Sequence, residues 1–455
     1  IITRTYLSGC KFLVILQRKV CEIMRKTCFL FLLLLSSLSV LAVERVSLEQ
    51  LKADWSKYTN QTVVLTTPLV VCGSFYDSLV LAPERLFCPE ERAIGLADGD
   101  STLYYELLAQ NRDASIVVNC RNNYYNVRCG DKVKNIQARV TKARHLVTGK
   151  PIRTKHMPQD KLPKAKKDEL RIVGANIENY FADLGGYASK RTTPVQQAMK
   201  TRKLVQALRA MKADIYALCE MQVGDKGPKM LLEALNKGGK KYAFVSMPLD
   251  NMDRIGGCFI YDTERVRTYE TPLSAYKDTT SHYYGRMFAV GFEELRTKER
   301  LIVSVNHFKS KRPGRTQYDT NLKRMQNTDS LLVMLPQAIE FFGDPDILLL
   351  GDYNCNTQEQ PIQTIVRAGY ADMLPLGQAN DYSYSYKGEA GYLDRCFANP
   401  SMARQIVRVR PWHINADWYY SHGAYKLKDK SLHRYSDHDP IIVDINLQSE
   451  IINKK

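Results

Sequence analysis

The 455-residue chain is long enough for two or three domains with cores of their own, which excludes a mini-protein stapled by disulfides. Apolar residues at 44% and charged residues at 25% exclude a disordered, fibrous or polytopic membrane chain. The 65 Lys and Arg against 48 Asp and Glu give a net charge of +17, which suits a polyanion such as nucleic acid or an anionic surface without choosing between them.

Residues 1–23 precede Met24 and read as an upstream extension. In residues 24–42, Arg25 and Lys26 supply a basic start, Thr27 to Leu35 a short apolar stretch, and Val40-Leu41-Ala42 the small-residue spacing of a cleavage site. That is the pattern of a secretory signal peptide, too short in its apolar stretch for a membrane span, and the chain beyond Ala42 has no stable span either. The expected location is secreted or periplasmic/extracellular, a compartment that permits disulfides. Residues 1–42 hold six basic and one acidic side chain, so the remainder keeps +12. Eleven cysteines without a CxxC pair argue against finger-type zinc.

In residues 44–147, Ser47 with Gln50 makes a capping box ahead of a short helix. Strand-like runs come next at 62–72, 77–83, 114–120, 123–129 and 132–141, whose period-two patterning and β-branched content predict a small β-barrel. Cys120 with Cys129, and Cys72 with Cys88, are possible pairs, and the connectivity stays open. From Thr148 to Lys167 the pattern fails: three prolines and seven Lys or Arg residues without amphipathic period read as a basic linker (148–168) or a long surface loop.

Residues 169–449 alternate strands and helices. Strand-like runs lie at 171–177, 214–220, 243–247, 258–262, 287–292, 301–308, 346–352 and 439–445, with helices starting at Thr193-Pro194, around Met230 to Leu235, and over Leu322 to Ile339. The mixture predicts a layered or sandwiched α/β domain. The informative feature is where the strands stop: Asn176 with Glu178, Glu220, Asn306-His307, Asp352 with Asn354, Asp394, and Asp437-His438-Asp439. A core strand has no packing use for a carboxylate, and such groups at strand ends must be paired, solvated or metal-bound. Six such ends, far apart in sequence, predict one convergent cleft.

The segments GANIENYF (174–181), ADIYALCE (213–220), SVNHFKSK (304–311), LLLGDYNCN (348–356), GYLDRCFA (391–398) and YSDHDPIIV (435–443) resemble the endonuclease/exonuclease/phosphatase family, over roughly residues 169–447. The ENYF, NHFKSK and WHINADW (412–418) segments look most like its secreted bacterial nucleases, in which a domain resembling an oligonucleotide-binding (OB) barrel often precedes the catalytic one. The resemblance implies a four-layer α/β sandwich, two packed β-sheets flanked by helices, behind an OB-like N-terminal domain.

By that match, Glu220 is the principal Mg²⁺ ligand (Mn²⁺ or Ca²⁺ being alternatives), with Asn176 and Asp437 on or near the metal. Asp352 resembles the residue that orients or deprotonates the attacking water, and Asn354 one that holds the scissile phosphate or a metal-bound water. His438 resembles the phosphate-binding histidine, with Asp394 fixing its tautomer. His307 matches the second histidine of deoxyribonuclease-like members. Asn306, Lys309 and Arg286 are placed as phosphate or substrate contacts, Arg286 equally as a structural ion pair. Cys355 with Cys396, and Cys219 with Cys258, raise the pairing question again. Tyr105, Tyr124 and Tyr125 are candidates for stacking on bases, or core and edge residues of the barrel.

The expected function is a secreted, divalent-metal-dependent endonuclease of low sequence specificity, acting on DNA, with RNA left open as a further substrate, with nucleic acid as partner and no protein partner implied. Two alternatives stand beside it: an enzyme of the same fold acting on a lipid or inositol phosphate, and an inactive nucleic-acid-binding module.

Overall fold

The computed structural model describes residues 43–75, 77–120, 127–184, 192–239, 241–247, 254–275, 286–312, 317–374, 381–418 and 430–447. The extension, the signal peptide, Tyr124 and Tyr125 lie outside these residues.

The N-terminal strands are β1 (Glu44–Val46), β2 (Thr62–Leu65), β3 (Leu69–Phe75), β4 (Ser78–Ala82), β5 (Leu86–Phe87), β6 (Ile116–Asn119), β7 (Lys132–Val133), β8 (Ile136–Val140), β9 (Leu146–Val147) and β10 (Thr154–Lys155). All but β5 form one sheet in the order β1-β2-β8-β9-β6-β4-β3-β7-β10, a curled half-barrel around Val63, Leu81, Val118, Ala138 and Val140 that makes the unit OB-like. The helix Leu48–Ala53 starts on the expected capping box: Ser47 Oγ accepts the Gln50 N–H at 3.0 Å and Gln50 Oε1 the Ser47 N–H at 2.8 Å. The helix Thr102–Ala114 has no counterpart in the sequence pattern, because none of its residues is buried and no apolar stripe announces it. Tyr105 is exposed on that helix rather than in a barrel strand. Val127–Cys129, expected as strand, is not one.

Beyond Thr148 the chain runs over both units. The edge strand β10 pairs with β7. Asp131 lies 2.7 Å from His156 Nδ1 and accepts the Met157 N–H at 3.0 Å, while Asp160 accepts the His413 N–H at 3.1 Å.

The second unit contains β11 (Leu170–Tyr180), β12 (Ile215–Gln222), β13 (Tyr242–Ser246), β14 (Ile255–Asp262), β15 (Val266–Ser274), β16 (Arg286–Glu294), β17 (Arg300–His307), β18 (Ile347–Asp352), β19 (Ala371–Asp372), β20 (Tyr384–Tyr386), β21 (Glu389–Gly391), β22 (Asp394–Ala398), β23 (Ile406–Pro411) and β24 (Ile441–Ile445). Two six-stranded sheets, β13-β14-β12-β11-β24-β23 and β15-β16-β17-β18-β22-β19, pack through Ile172, Phe259, Phe288, Val303 and Leu350. Helices Pro194–Met211 and Lys226–Asn236 cover the first sheet with Leu204, Leu208, Leu231 and Leu235. Helices Gln317–Phe342 and Gln360–Arg367 cover the second with Leu331, Leu335, Ile362 and Ile365. Each such side chain contributes about 1.5–3 kcal/mol by leaving water, which makes the four-layer sandwich the stable solution for sheets apolar on both faces.

The units share a small sheet, β20-β21-β5, in which N-terminal β5 runs parallel to β21 with Leu86 opposite Glu389. Glycine permits this contact: a Cβ on Gly73 would sit 2.6 Å from Gly388 Cα, and Gly388 itself has φ +96°.

The eight cysteines of the described residues are free thiols, so none of the four pairs considered from sequence forms. Facing different layers explains two of them. Cys396 faces the inter-sheet core and Cys355 the helix layer, and Cys219 and Cys258 are likewise on opposite faces of their sheet.

Candidate active site

Arg286, His307, Asp352 and Asp394 form one row across β16, β17, β18 and β22: Arg286 is registered with His307, His307 with Asp352, and Asp352 with Asp394. The apolar runs stop at the same edge, which turns four scattered sequence positions into neighbours. Gly351 makes the row possible, since a Cβ there would lie 1.9 Å from the Asn306 carbonyl oxygen. From the other sheet, β11 and β12 end in bulges at Asn176–Tyr180 and Leu218–Met221. Glu178, Asn179 and Glu220 there take φ of +51°, +54° and +65°, and Asn354 after β18 takes +51°. Left-handed backbone at four non-glycine residues around one cleft is strain held by its surroundings, which points to function.

Asn176 ties the two sheets together: its Nδ2 donates to Glu220 Oε1 at 3.1 Å and to Asp352 Oδ2 at 3.0 Å. Glu220 Oε2 accepts the Asn179 N–H at 2.8 Å. His307 Nε2 stands 3.8 Å from both Glu220 Oε1 and Asp352 Oδ2, and its Nδ1 lies 3.5 Å from the Arg286 guanidinium. His438 Nδ1 is 2.7 Å from Asp394 Oδ2, which also accepts the Ser383 hydroxyl at 2.8 Å. His438 Nε2 reaches to 3.9 Å from Asp352 Oδ2, and the Tyr384 ring lies against the imidazole at 4.6 Å between centroids. Asn354 donates its N–H to Asp352 Oδ1 at 2.8 Å and its Nδ2 to the Phe308 carbonyl at 3.1 Å.

The two imidazoles are driven in opposite directions. Burial, with Arg286, His438 and Lys309 nearby, holds His307 well below the usual histidine range, so it is neutral. Burial opposes charge on His438 too, but Asp394, Asp352 and Asp437 outweigh it and keep the imidazolium. Burial pushes Asp352 up to about 7, with Asp394 and Glu220 adding repulsion that His438 partly offsets. Glu178 is also pushed up to about 7 by burial and by Asp437, and Glu220 is raised for the same two reasons. Asp437 stays low despite its burial, through His438 and Arg434. Titratable groups whose environments separate their protonation states in one cleft are the makings of an acid–base pair.

Of the residues named from sequence, Asn176, Glu220, His307, Asp352, Asn354, Asp394 and His438 converge through these contacts, Arg286 flanks His307, and Asp437 acts on the cluster through charge. Lys309 is half-buried, its Nζ donating to Ser310 Oγ at 3.0 Å, and burial first, then Lys323, Arg286 and other cations, lower its pKa. Asn306 is not brought into the cluster. Alternation along β17 turns it away from His307, and its amide is committed to the Leu350 carbonyl at 3.1 Å, the Tyr353 hydroxyl at 3.0 Å and the Ser304 hydroxyl at 3.0 Å. Sequence reasoning passed over the supports. Ser383 and Tyr384 carry no signal in the sequence. Lys200, fully buried with its Nζ donating to the Glu178 carbonyl, was legible as a lysine on the apolar face of its helix.

Among the described residues, two clusters have the spacing to hold a metal ion, Glu220–His307–Asp352 and Asp352–Asp394–His438. The second commits its imidazolium to Asp394, and a charged imidazole is no ligand. The first sits among crowded carboxylates, with Glu178 and Asp437 beside it, whose mutual repulsion a hard divalent cation relieves, so the residues fit such an ion.

A family model described as "Endonuclease/Exonuclease/phosphatase family" matches residues 175–438. No curated protein matches the chain. Similar solved structures include the human Nocturnin catalytic domain with bound sulfate (14% identity, 62% of this chain, 95% of that chain, TM-score 0.43). Others are a mannosyl-6-phosphatase from Bacteroides thetaiotaomicron (16%, 60%, 98%, 0.44) and D. rerio TDP2 complexed with single strand DNA product (18%, 61%, 99%, 0.42). None of these findings gives a particular link to secreted bacterial nucleases.

Proposed function

The chain belongs to the endonuclease/exonuclease/phosphatase family, and on that premise we propose that it is a divalent-metal-dependent phosphodiesterase that hydrolyses nucleic acid, DNA foremost and RNA as well. That it is a metal-dependent hydrolase follows from the family and the metal-fitting cluster. The observation that carries the proposal is the convergence of two imidazoles on one carboxylate oxygen, His307 Nε2 at 3.8 Å and His438 Nε2 at 3.9 Å from Asp352 Oδ2.

Glu220, with Asn176, Asp437 and Asp352 around it, would hold the cation, which when bound supplies charge for the phosphate oxygens. Asp352, pushed up to about 7 and oriented by Asn176 and Asn354, is the acceptor for the proton of an attacking water. His438, fixed by Asp394 and flanked by Tyr384, directs a charged N–H at a non-bridging oxygen of the scissile phosphate. Neutral His307, whose Nδ1 faces the donating Arg286 guanidinium, directs its Nε2–H at the leaving oxygen and stabilises the charge that develops there, the proton for that oxygen coming from water. Nucleic acid is favoured as the ester by the net charge of +12 beyond Ala42 and by the basic segment Lys309–Arg312 following His307.

The enzyme's secretion, and its kinship with exported nucleases, belong to this proposal and rest on residues 24–42 and the ENYF, NHFKSK and WHINADW segments. The test is to incubate the purified protein with plasmid DNA, single-stranded RNA and sphingomyelin, with Mg²⁺ and with chelator, beside His438→Ala. Cleavage of nucleic acid by the wild type with Mg²⁺ alone supports the reading. Cleavage indifferent to chelator and to the substitution, or hydrolysis of the lipid alone, overturns it.

A further inference from the structure

A groove of about 1040 Å³ lies on the N-terminal unit, between β7, the start of β8 and the segment Thr148–Lys155. Lys132, Lys134, Lys150, Arg153 and Lys155 line it, and no carboxylate does. All five are exposed. Register sets Lys155 directly opposite Lys132, a like-charge cross-strand pair that is destabilising by itself. Lys150 Nζ donates to Gln137 Oε1 at 2.6 Å. Among the described residues no hydrogen bond or ion pair engages the side chains of Lys132, Lys134, Arg153 or Lys155. The nearest acid in sequence, Asp131, is buried and already shared by His156, the Met157 N–H and Arg128. A concave run of cations with no carboxylate among them, around an apolar floor of Val133, Ile136 and Ile152, suits a polyanion.

We propose that this groove binds the sugar-phosphate backbone of a nucleic-acid strand, at a site separate from the active site. The proposal rests on nucleic acid being the substrate. The groove is concave, which admits a strand and not the flat face of an anionic membrane. Its lining has no aromatic side chain, so it holds phosphates without stacking bases and carries no sequence preference. Its role is to keep a polymer on the enzyme between cuts.

The test measures polarisation of a fluorescein-labelled oligothymidylate with the full chain in excess chelator, where nothing is cleaved. Wild type is compared with the combined variant Lys132→Gln, Lys134→Gln, Arg153→Gln, Lys155→Gln. Affinity should fall by about ten-fold or more, and the slope of log affinity against log salt should weaken by about 3, at about 0.7 per phosphate contact on a single strand. With Mg²⁺, the variant should hydrolyse bis-p-nitrophenyl phosphate at the wild-type rate while its KM for the polymer rises. Unchanged thermal melting of the variant verifies that these exposed positions do not disturb the fold.

Equal affinity and equal salt slope in the two proteins overturn the proposal, leaving the lysines as guards of an exposed sheet edge. Binding to phosphatidylserine vesicles but not to the oligonucleotide overturns it in favour of a membrane. A wild type that binds the oligonucleotide through the groove and hydrolyses no nucleic acid sinks the substrate reading and not the groove. A wild type that cleaves while the variant binds equally well sinks the groove and not the substrate reading.

Discussion

Glu91 Oε1, in the N-terminal unit, accepts the backbone N–H of Tyr392 at 2.8 Å, two residues ahead of Asp394 in the other unit. Its second oxygen takes the Thr357 N–H at 3.3 Å and the Thr357 hydroxyl, and lies 3.8 Å from the fully buried Arg395 guanidinium. The N-terminal unit thereby holds the start of β22, the strand that presents Asp394 to His438.

Replacing Glu91 with Ala leaves those donors buried without an acceptor, at roughly 1–3 kcal/mol. The expected outcome is a lower melting temperature and a fall in kcat larger than the change in KM, with Glu91→Gln milder in both. Calorimetry and steady-state kinetics on a small phosphodiester check this. Loss of stability with kcat intact would show that the contact serves docking alone.

Asp394→Asn keeps the volume of the carboxylate but removes the charge that steadies the His438 imidazolium. Turnover should fall about 10²- to 10⁴-fold with the fold retained. In NMR titration of the chelated protein, the His438 ring should give up its proton at lower pH than in the wild type, because the first of its favourable partners is gone.

His413 bridges Asp439 Oδ2 at 2.9 Å and Asp381 Oδ1 at 2.7 Å and stacks on Tyr382 at 4.3 Å. Burial opposes its charge, yet these carboxylates lift it to about 10 from an ordinary 6.5. A raised histidine pKa gives stability that is fully present below about 6.5 and is lost as pH climbs towards about 10. The melting temperature of the wild type should therefore fall across that interval, and His413→Gln should flatten this component of the fall.

Relief of carboxylate crowding predicts that Mg²⁺ or Mn²⁺ raises the melting temperature of chelator-treated protein at neutral pH. At 100 times the dissociation constant the linkage is worth about 2.7 kcal/mol. Glu220→Gln should lose most of the shift while melting normally without metal. An unchanged shift would place the cation elsewhere.

Much of this site was legible because chemistry sits where apolar strands stop, and strand ends are what periodicity reads well. The row of Arg286, His307, Asp352 and Asp394 was half visible: each member could be named, but their registration depends on pairing across β16, β17, β18 and β22, which no local pattern encodes. Asn306 misled because it adjoins His307 in sequence while strand alternation sends it to the opposite face. Helix Thr102–Ala114 was invisible for lack of a buried face. The engagement of Glu91 with Tyr392, 301 residues apart, is tertiary information altogether. An oxidising compartment permits cysteine pairs but does not say which thiols face each other, and in the second unit the members of each pair face different layers.

Metal-dependent cleavage of nucleic acid through His438 is tested most directly by a time course of supercoiled plasmid with wild type and His438→Ala, each with Mg²⁺ and with excess chelator. Relaxed and linear products are expected from wild type with Mg²⁺ only, with a rate at least about 10²-fold lower for His438→Ala, whose melting curve stays cooperative. Equal cutting by wild type and variant, or cutting that survives the chelator, would contradict it.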